Sequence, residues 1–145
     1  MRLAVASRRD PGWPGAECMP FDRLLATSDV VSLHVPLTPA TRRLIDQPAL
    51  ARMKRTAFLV NTTRGPVVDE AALAWALKEH LIAGAALDVF EREPEVLPDL
   101  MTMENVVLSP HLGSATRETR AAMADLAVDN VLAVLSGTPP LTPIA

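Results

Sequence analysis

The stretch Ala57-Phe58-Leu59-Val60-Asn61-Thr62-Thr63-Arg64-Gly65-Pro66-Val67-Val68-Asp69-Glu70 changes character twice, and those changes decide the fold. Ala57–Val60 is apolar throughout, the pattern of a strand covered on both faces. The residues from Asn61 to Pro66 are polar or turn-forming. Asp69 is then a natural N-cap for a helix in which Leu73, Ala76 and Leu77 share one face. A second apolar run, Ala85–Val89, follows that helix. Strand, turn, helix and strand in this order predict a parallel crossover unit.

Working outward, the same alternation continues on both sides. Strands are predicted at Leu3–Ala6, Val30–Val35 and Val106–Leu108. Asp46 caps a short helix with Pro48 in its first turn, running to about Met53. Thr116 opens the longest helix, with Met123, Ala127, Val131 and Val134 on one face and Gly137, Pro139 and Pro140 to stop it. Arg8–Pro20, rich in proline, glycine and arginine, reads as a long loop before a short helical piece, Phe21–Ala26. The expected fold class is therefore α/β, a doubly wound parallel sheet, with all 145 residues in one domain.

Composition narrows the function. Apolar residues make up 49% and charged residues 21%, a globular balance. Fourteen Lys and Arg stand against 17 Asp and Glu, a net charge of −3, so no attraction to nucleic acid or an anionic membrane is expected. No apolar run is long enough for a membrane span, and Cys18 is the only cysteine, which together read as a cytoplasmic protein. No metal-binding set is expected.

Three segments place a reactive side chain just past a predicted strand, where open parallel sheets bind ligands. Arg64 leaves the strand ending at Val60, and its fork of donors suits a carboxylate and a neighbouring carbonyl oxygen. Asp88 lies inside an apolar run, where a carboxylate needs a partner, and Glu93 sits in the following loop before Pro94. His111 follows Val106–Leu108 and precedes a helix, and imidazole exchanges protons near neutrality. Taken singly, Arg64 also suits a surface ion pair, Glu91–Glu95 a solvated loop and His111 a polar loop. His34 reads as a strand end and His80 as a helix terminator.

Taken together, Ser28-Asp29-Val30-Val31-Ser32-Leu33-His34-Val35-Pro36-Leu37-Thr38, Val60-Asn61-Thr62-Thr63-Arg64-Gly65, Leu87-Asp88-Val89-Phe90 with Glu93-Pro94, and Ser109-Pro110-His111-Leu112-Gly113-Ser114 resemble the D-isomer-specific 2-hydroxyacid dehydrogenases. The resemblance runs in order from about Met1 to Gly137. It implies a Rossmann-like domain and hydride transfer between NAD(P)(H) and a 2-hydroxyacid/2-ketoacid pair such as glyoxylate or hydroxypyruvate. Arg64 would hold the substrate carboxylate and carbonyl oxygen, His111 would act as general acid–base, and Glu93 would fix the tautomer of His111. Pro36, Thr62, Asp88 and Gly113 would face the nicotinamide end. Ser7, Arg8 and Arg9 follow the first strand, where two guanidiniums suit a ribose 2′-phosphate, so NADP(H) is favoured over NAD(H). The resemblance also implies a homodimer.

The six glycines, Gly12, Gly15, Gly65, Gly84, Gly113 and Gly137, contain no G-x-G-x-x-G. In the family this loop precedes the segment that Met1-Arg2-Leu3 resembles, so the chain reads as the carboxyl half of a member. An incomplete sheet lacking its first strand, no substrate-binding domain and negligible activity alone are expected. On this reading Leu3–Ala6 pairs with Val30–Val35, and the two are cut off from the three strands that follow, leaving two inner edges exposed. The alternatives are a non-catalytic dinucleotide-sensing regulatory protein and an inactive fragment.

Overall fold

The computed structural model describes residues 1–9 and 12–143; Asp10 and Pro11, both in the expected long loop, lie outside the described residues. Two compact units divide the chain, Met1–Pro110 and His111–Ala145.

The first unit contains β1 (Leu3–Val5), β2 (Ala16–Cys18), α1 (Phe21–Thr27), β3 (Val30–Leu33), α2 (Gln47–Arg52), β4 (Phe58–Asn61), α3 (Glu70–Lys78), β5 (Gly84–Leu87), α4 (Pro98–Met101) and β6 (Val106–Leu108). β3, β4, β5 and β6 form a four-stranded sheet in that order, parallel throughout. β1 and β2 form a separate parallel pair. The α/β class with parallel strands expected from sequence is what the chain adopts, its strands divided between two separate sheets.

The expected pairing of Leu3–Ala6 with Val30–Val35 is wrong. Leu3–Val5 pairs instead with Ala16–Cys18, a strand inside the predicted loop, and Val30–Leu33 pairs with Phe58–Asn61. Ala16-Glu17-Cys18 is too short and too polar to register as an apolar run, yet its backbone completes a ladder with β1. The missed strand moves the gap. The division between the two sheets falls before Val30–Leu33, not between Val30–Leu33 and the strands after it.

Local signals set the helices. The Asp46 carboxylate accepts the Ala49 N–H at 2.9 Å, and the Asp69 carboxylate accepts the Ala72 N–H at 3.0 Å. Leu73, Ala74, Ala76 and Leu77 of α3 are buried, and α3 lies against α2, which lies against α1. These side chains join Val31, Leu33, Leu59, Leu87 and Ile82 in one core. His80 takes a left-handed backbone (φ 51°) just past α3, which fits its expected role as terminator.

The second unit is built on α5 (Arg117–Leu135). Thr116 caps it by accepting the Thr119 N–H at 3.1 Å, and Gly137 (φ 78°) ends it. The chain then returns so that the Asn130 Oδ1 accepts the Thr142 N–H at 3.0 Å and its Nδ2 donates to the Thr142 Oγ1 at 3.0 Å. The shared apolar face read from the sequence is exposed: Met123, Val131 and Val134 are all open, and α5 has no buried residue among those described. Helical spacing identifies which residues share a face, not whether anything covers it.

Candidate active site

The register of the four-stranded sheet brings the ends of its strands level along one border. Leu33 is level with Asn61, Asn61 with Leu87, and Leu87 with Leu108. All four strands run in the same direction, so the residues that follow them leave along the same border of the sheet.

After β4 the chain is shaped by Asn61, which is 1% exposed. Its Oδ1 accepts the Thr63 N–H at 3.1 Å and the Thr63 hydroxyl at 2.9 Å, and its Nδ2 donates to the Arg64 carbonyl at 3.1 Å. One buried amide thereby satisfies the turn that carries Arg64. The Arg64 guanidinium donates to the Thr63 carbonyl at 2.7 Å and makes no ion pair with a carboxylate among the described residues. It lines a cleft of about 520 Å³ with His34, Val35, Pro36, Leu37, Thr62 and Thr63. The His34 Nε2 lies 2.8 Å from the Ser32 Oγ.

After β5, Asp88 is buried and accepts a hydrogen bond from the Ser109 hydroxyl at the end of β6. Burial inside the apolar run is thus met by a partner, as the sequence required. The Glu93 Oε1 accepts the Phe90 N–H at 3.1 Å, and the Glu93–Pro94 peptide bond is cis. Glu70, the first residue of α3, is buried and accepts the Glu91 N–H at 2.5 Å. Burial pushes the Glu70 carboxyl above the usual carboxylate range, and the nearby Glu91 charge pushes it the same way. The Glu91 N–H and the Arg92 guanidinium oppose that rise. Arg43 reaches both Asp69 (3.2 Å) and Glu91 (3.7 Å).

The turn after β4 and the loop after β5 touch through Gly65. A Cβ placed there would lie 1.9 Å from both the carbonyl carbon and oxygen of Phe90 and 2.5 Å from the Glu91 nitrogen. Only glycine lets these backbones approach so closely.

Of the residues expected from sequence, Pro36, Thr62 and Arg64 share the cleft, while Asp88 and Glu93 leave the adjacent strand. His111 and Gly113 belong to the second unit, where His111 is exposed with a left-handed backbone (φ 56°). Ser7, Arg8 and Arg9 follow β1 and are exposed. Asn61, Gly65 and Ser109 lie in the motifs that carry the resemblance but had no role assigned there, and Glu70 was not anticipated. A polar residue ending an apolar strand could have pointed to Asn61, but nothing local marks Glu70, whose partner lies 21 residues away.

Residues 3–113 match the family described as D-isomer specific 2-hydroxyacid dehydrogenase, NAD binding domain. The chain belongs to this family. As a member of the 2-hydroxyacid dehydrogenase NAD-binding domains it resembles the glyoxylate reductase of Thermofilum pendens, 56% identical over 130 residues that cover 88% of this chain and 38% of the relative. It is 53% identical to the glyoxylate/hydroxypyruvate reductase B of Erwinia tasmaniensis over 123 residues, 84% of this chain and 38% of that protein. The crystal structure of an NADPH-dependent glyoxylate/hydroxypyruvate reductase from Sinorhizobium meliloti, in complex with NADP and malonate, superposes with a TM-score of 0.93. It is 40% identical and covers 98% of this chain and 45% of that one. This dehydrogenase-family chain therefore spans well under half the length of the curated relatives it matches. Among the described residues no helix is long and apolar enough to cross a membrane.

Proposed function

We propose that this chain is the dinucleotide-binding portion of an NAD(P)-dependent 2-hydroxyacid dehydrogenase that interconverts a small 2-ketoacid, such as glyoxylate or hydroxypyruvate, with its 2-hydroxyacid. The observation that carries the reading is Arg64. It is a guanidinium without a carboxylate partner among the described residues, in a cleft at the ligand-binding border of a parallel sheet. Such a group is available for an incoming carboxylate.

The cleft fits the nicotinamide end of the cofactor, with Val35, Pro36 and Leu37 as an apolar wall and Thr62 and Thr63 as polar groups. When bound, the dinucleotide supplies or accepts the hydride. Arg64 orients the substrate through its carboxylate and carbonyl oxygen, and it stabilises the charge that develops on that oxygen. His111 delivers a proton to the same oxygen during reduction. Glu93 is assigned the role of orienting His111. Asp88 and Gly113 belong to the nicotinamide surroundings in this proposal. Arg8 and Arg9, with Ser7, select NADP(H) over NAD(H) through the 2′-phosphate. A homodimer in the cytoplasm belongs to the same reading. The 145 residues contain no glycine-rich phosphate loop, so turnover by this chain alone is low.

Thermal unfolding with increasing NADPH or NADH tests the binding half. Stabilisation should follow the logarithm of ligand concentration and be greater for NADPH, with the difference erased in an Arg8→Ala/Arg9→Ala variant. Reduction of glyoxylate, followed by NADPH absorbance, tests the chemistry. It should stay well below a typical rate of about 1–10 per second, and fall further in Arg64→Ala and in Glu93→Gln. Absence of any dinucleotide-dependent stabilisation would overturn the assignment.

A further inference from the structure

An acid in the first turn of a helix ordinarily faces water and offsets the helix dipole, a role that needs no burial. Glu70 departs from this: it is 8% exposed, and its carboxylate is spent on the N–H of Glu91. That N–H belongs to the peptide unit whose carbonyl, from Phe90, faces Gly65. One peptide plane is therefore held on both sides, by a carboxylate at its N–H and by glycine backbone at its C=O. Arg64 immediately precedes Gly65. Glu93 reaches back to the N–H of Phe90 itself. Arg64 thus neighbours the clamped peptide through Gly65, and Glu93 is held by the N–H of the peptide just before it.

We infer that Glu70 is a positioning residue: through the Phe90–Glu91 peptide it sets the placement of Glu93 relative to Arg64. The inference rests on the function proposed above for those two residues. Arg43, bridging Asp69 and Glu91, ties the same loop to the start of α3 from outside and is the weaker, exposed strand of the clamp.

The test compares Glu70→Ala with Glu70→Gln in the full 145-residue chain, by amide hydrogen exchange resolved residue by residue. Alanine removes the acceptor; glutamine keeps an acceptor oxygen in the same place. Exchange at Phe90 and Glu91 should rise roughly tenfold or more in Glu70→Ala and return to within about threefold of wild type in Glu70→Gln. Amides of α2 should keep their rates in both. Unchanged exchange at Phe90 and Glu91, or a rise spread evenly over the chain, would overturn the inference and reduce Glu70 to a structural strut. In NADPH-dependent glyoxylate reduction, Glu70→Ala should lower kcat more than it raises KM, with rescue by Glu70→Gln. A wild-type chain indifferent to dinucleotide and substrate would defeat the functional reading, while the exchange pattern would still decide the role of Glu70.

Discussion

The two parallel ribbons of the first unit, β1–β2 and β3–β6, obey the same hydrogen-bonding rules and meet different fates. Val31, Leu33, Leu59 and Leu87 of the four-stranded sheet are buried in one core with Leu25 of α1, Leu50 of α2 and Leu73 and Leu77 of α3. None of the six residues of β1 and β2 belongs to that core, and Leu3 is 52% exposed. The pair is instead decorated by exposed ion pairs, Glu17 with Arg2 (3.5 Å) and with Arg23 (3.4 Å). Such pairs contribute at most about 1 kcal/mol. Parallel pairing alone does not make a rigid scaffold; covering by helices does. The side chains proposed for substrate and proton chemistry that lie in this unit, Arg64 and Glu93, are hung on the covered ribbon.

Glycine gives the largest test of this contrast. Gly65 stands between the two loops of the covered ribbon, and a methyl group there would overlap the Phe90 carbonyl. Gly65→Ala should cost more than about 4 kcal/mol, in the range where single substitutions are exceptional, or prevent folding. Gly15 precedes β2 with a left-handed backbone (φ 80°), and a Cβ added there would meet nothing within 4 Å. Gly15→Ala should cost only about 1–2 kcal/mol, the penalty of that backbone region for an L-residue. Urea denaturation of both variants measures the difference, and equal losses would break the contrast.

Leucine sharpens it further. Leu59 is fully buried in the centre of β4, so Leu59→Ala should destabilise by about 3 kcal/mol from lost transfer energy and an unfilled cavity. Leu3→Ala, on the exposed pair, should stay within about 0.5–1 kcal/mol of wild type. A similar loss at both positions would mean that β1 is covered in solution.

What was legible in the amino-acid sequence follows the same division. β6 was found with its observed bounds, and β3, β4 and β5 within one or two residues, because each is a mostly apolar run between turn-forming segments. The expected cover on both faces is wrong, since Val30, Phe58 and Val107 are exposed. The caps Asp46, Asp69 and Thr116 were legible because capping is local chemistry. β2 was not, since Glu17 at its centre points to water and the evidence for the strand lies in its partner. Among site residues, Arg64 and Asp88 were marked by their positions at strand ends. Glu70 and Gly65 act on Phe90 and Glu91 across the fold, and contacts between residues so far apart in the chain leave no periodic trace.

The smallest expected effect is the dependence of stability on pH through Glu70. Its carboxyl is pushed up in the folded state, chiefly by burial, so the folded chain holds this proton to higher pH than the unfolded chain does. Between the usual carboxylate range and the raised value, the folded state therefore binds more protons, and the contribution of Glu70 to stability falls as pH rises. This is opposite in sign to a carboxylate held ionised by a cation. Glu70→Gln should remove that slope while keeping the bond from Glu91, and should lie within about 1 kcal/mol of wild type at neutral pH. Urea midpoints of the two proteins, taken at intervals upward from the usual carboxylate range, should converge toward the acid end and separate as pH rises, with the glutamine variant the more stable. Parallel curves would show that Glu70 is wetter than its burial implies, and that the covered ribbon admits water at the very loop that positions Glu93.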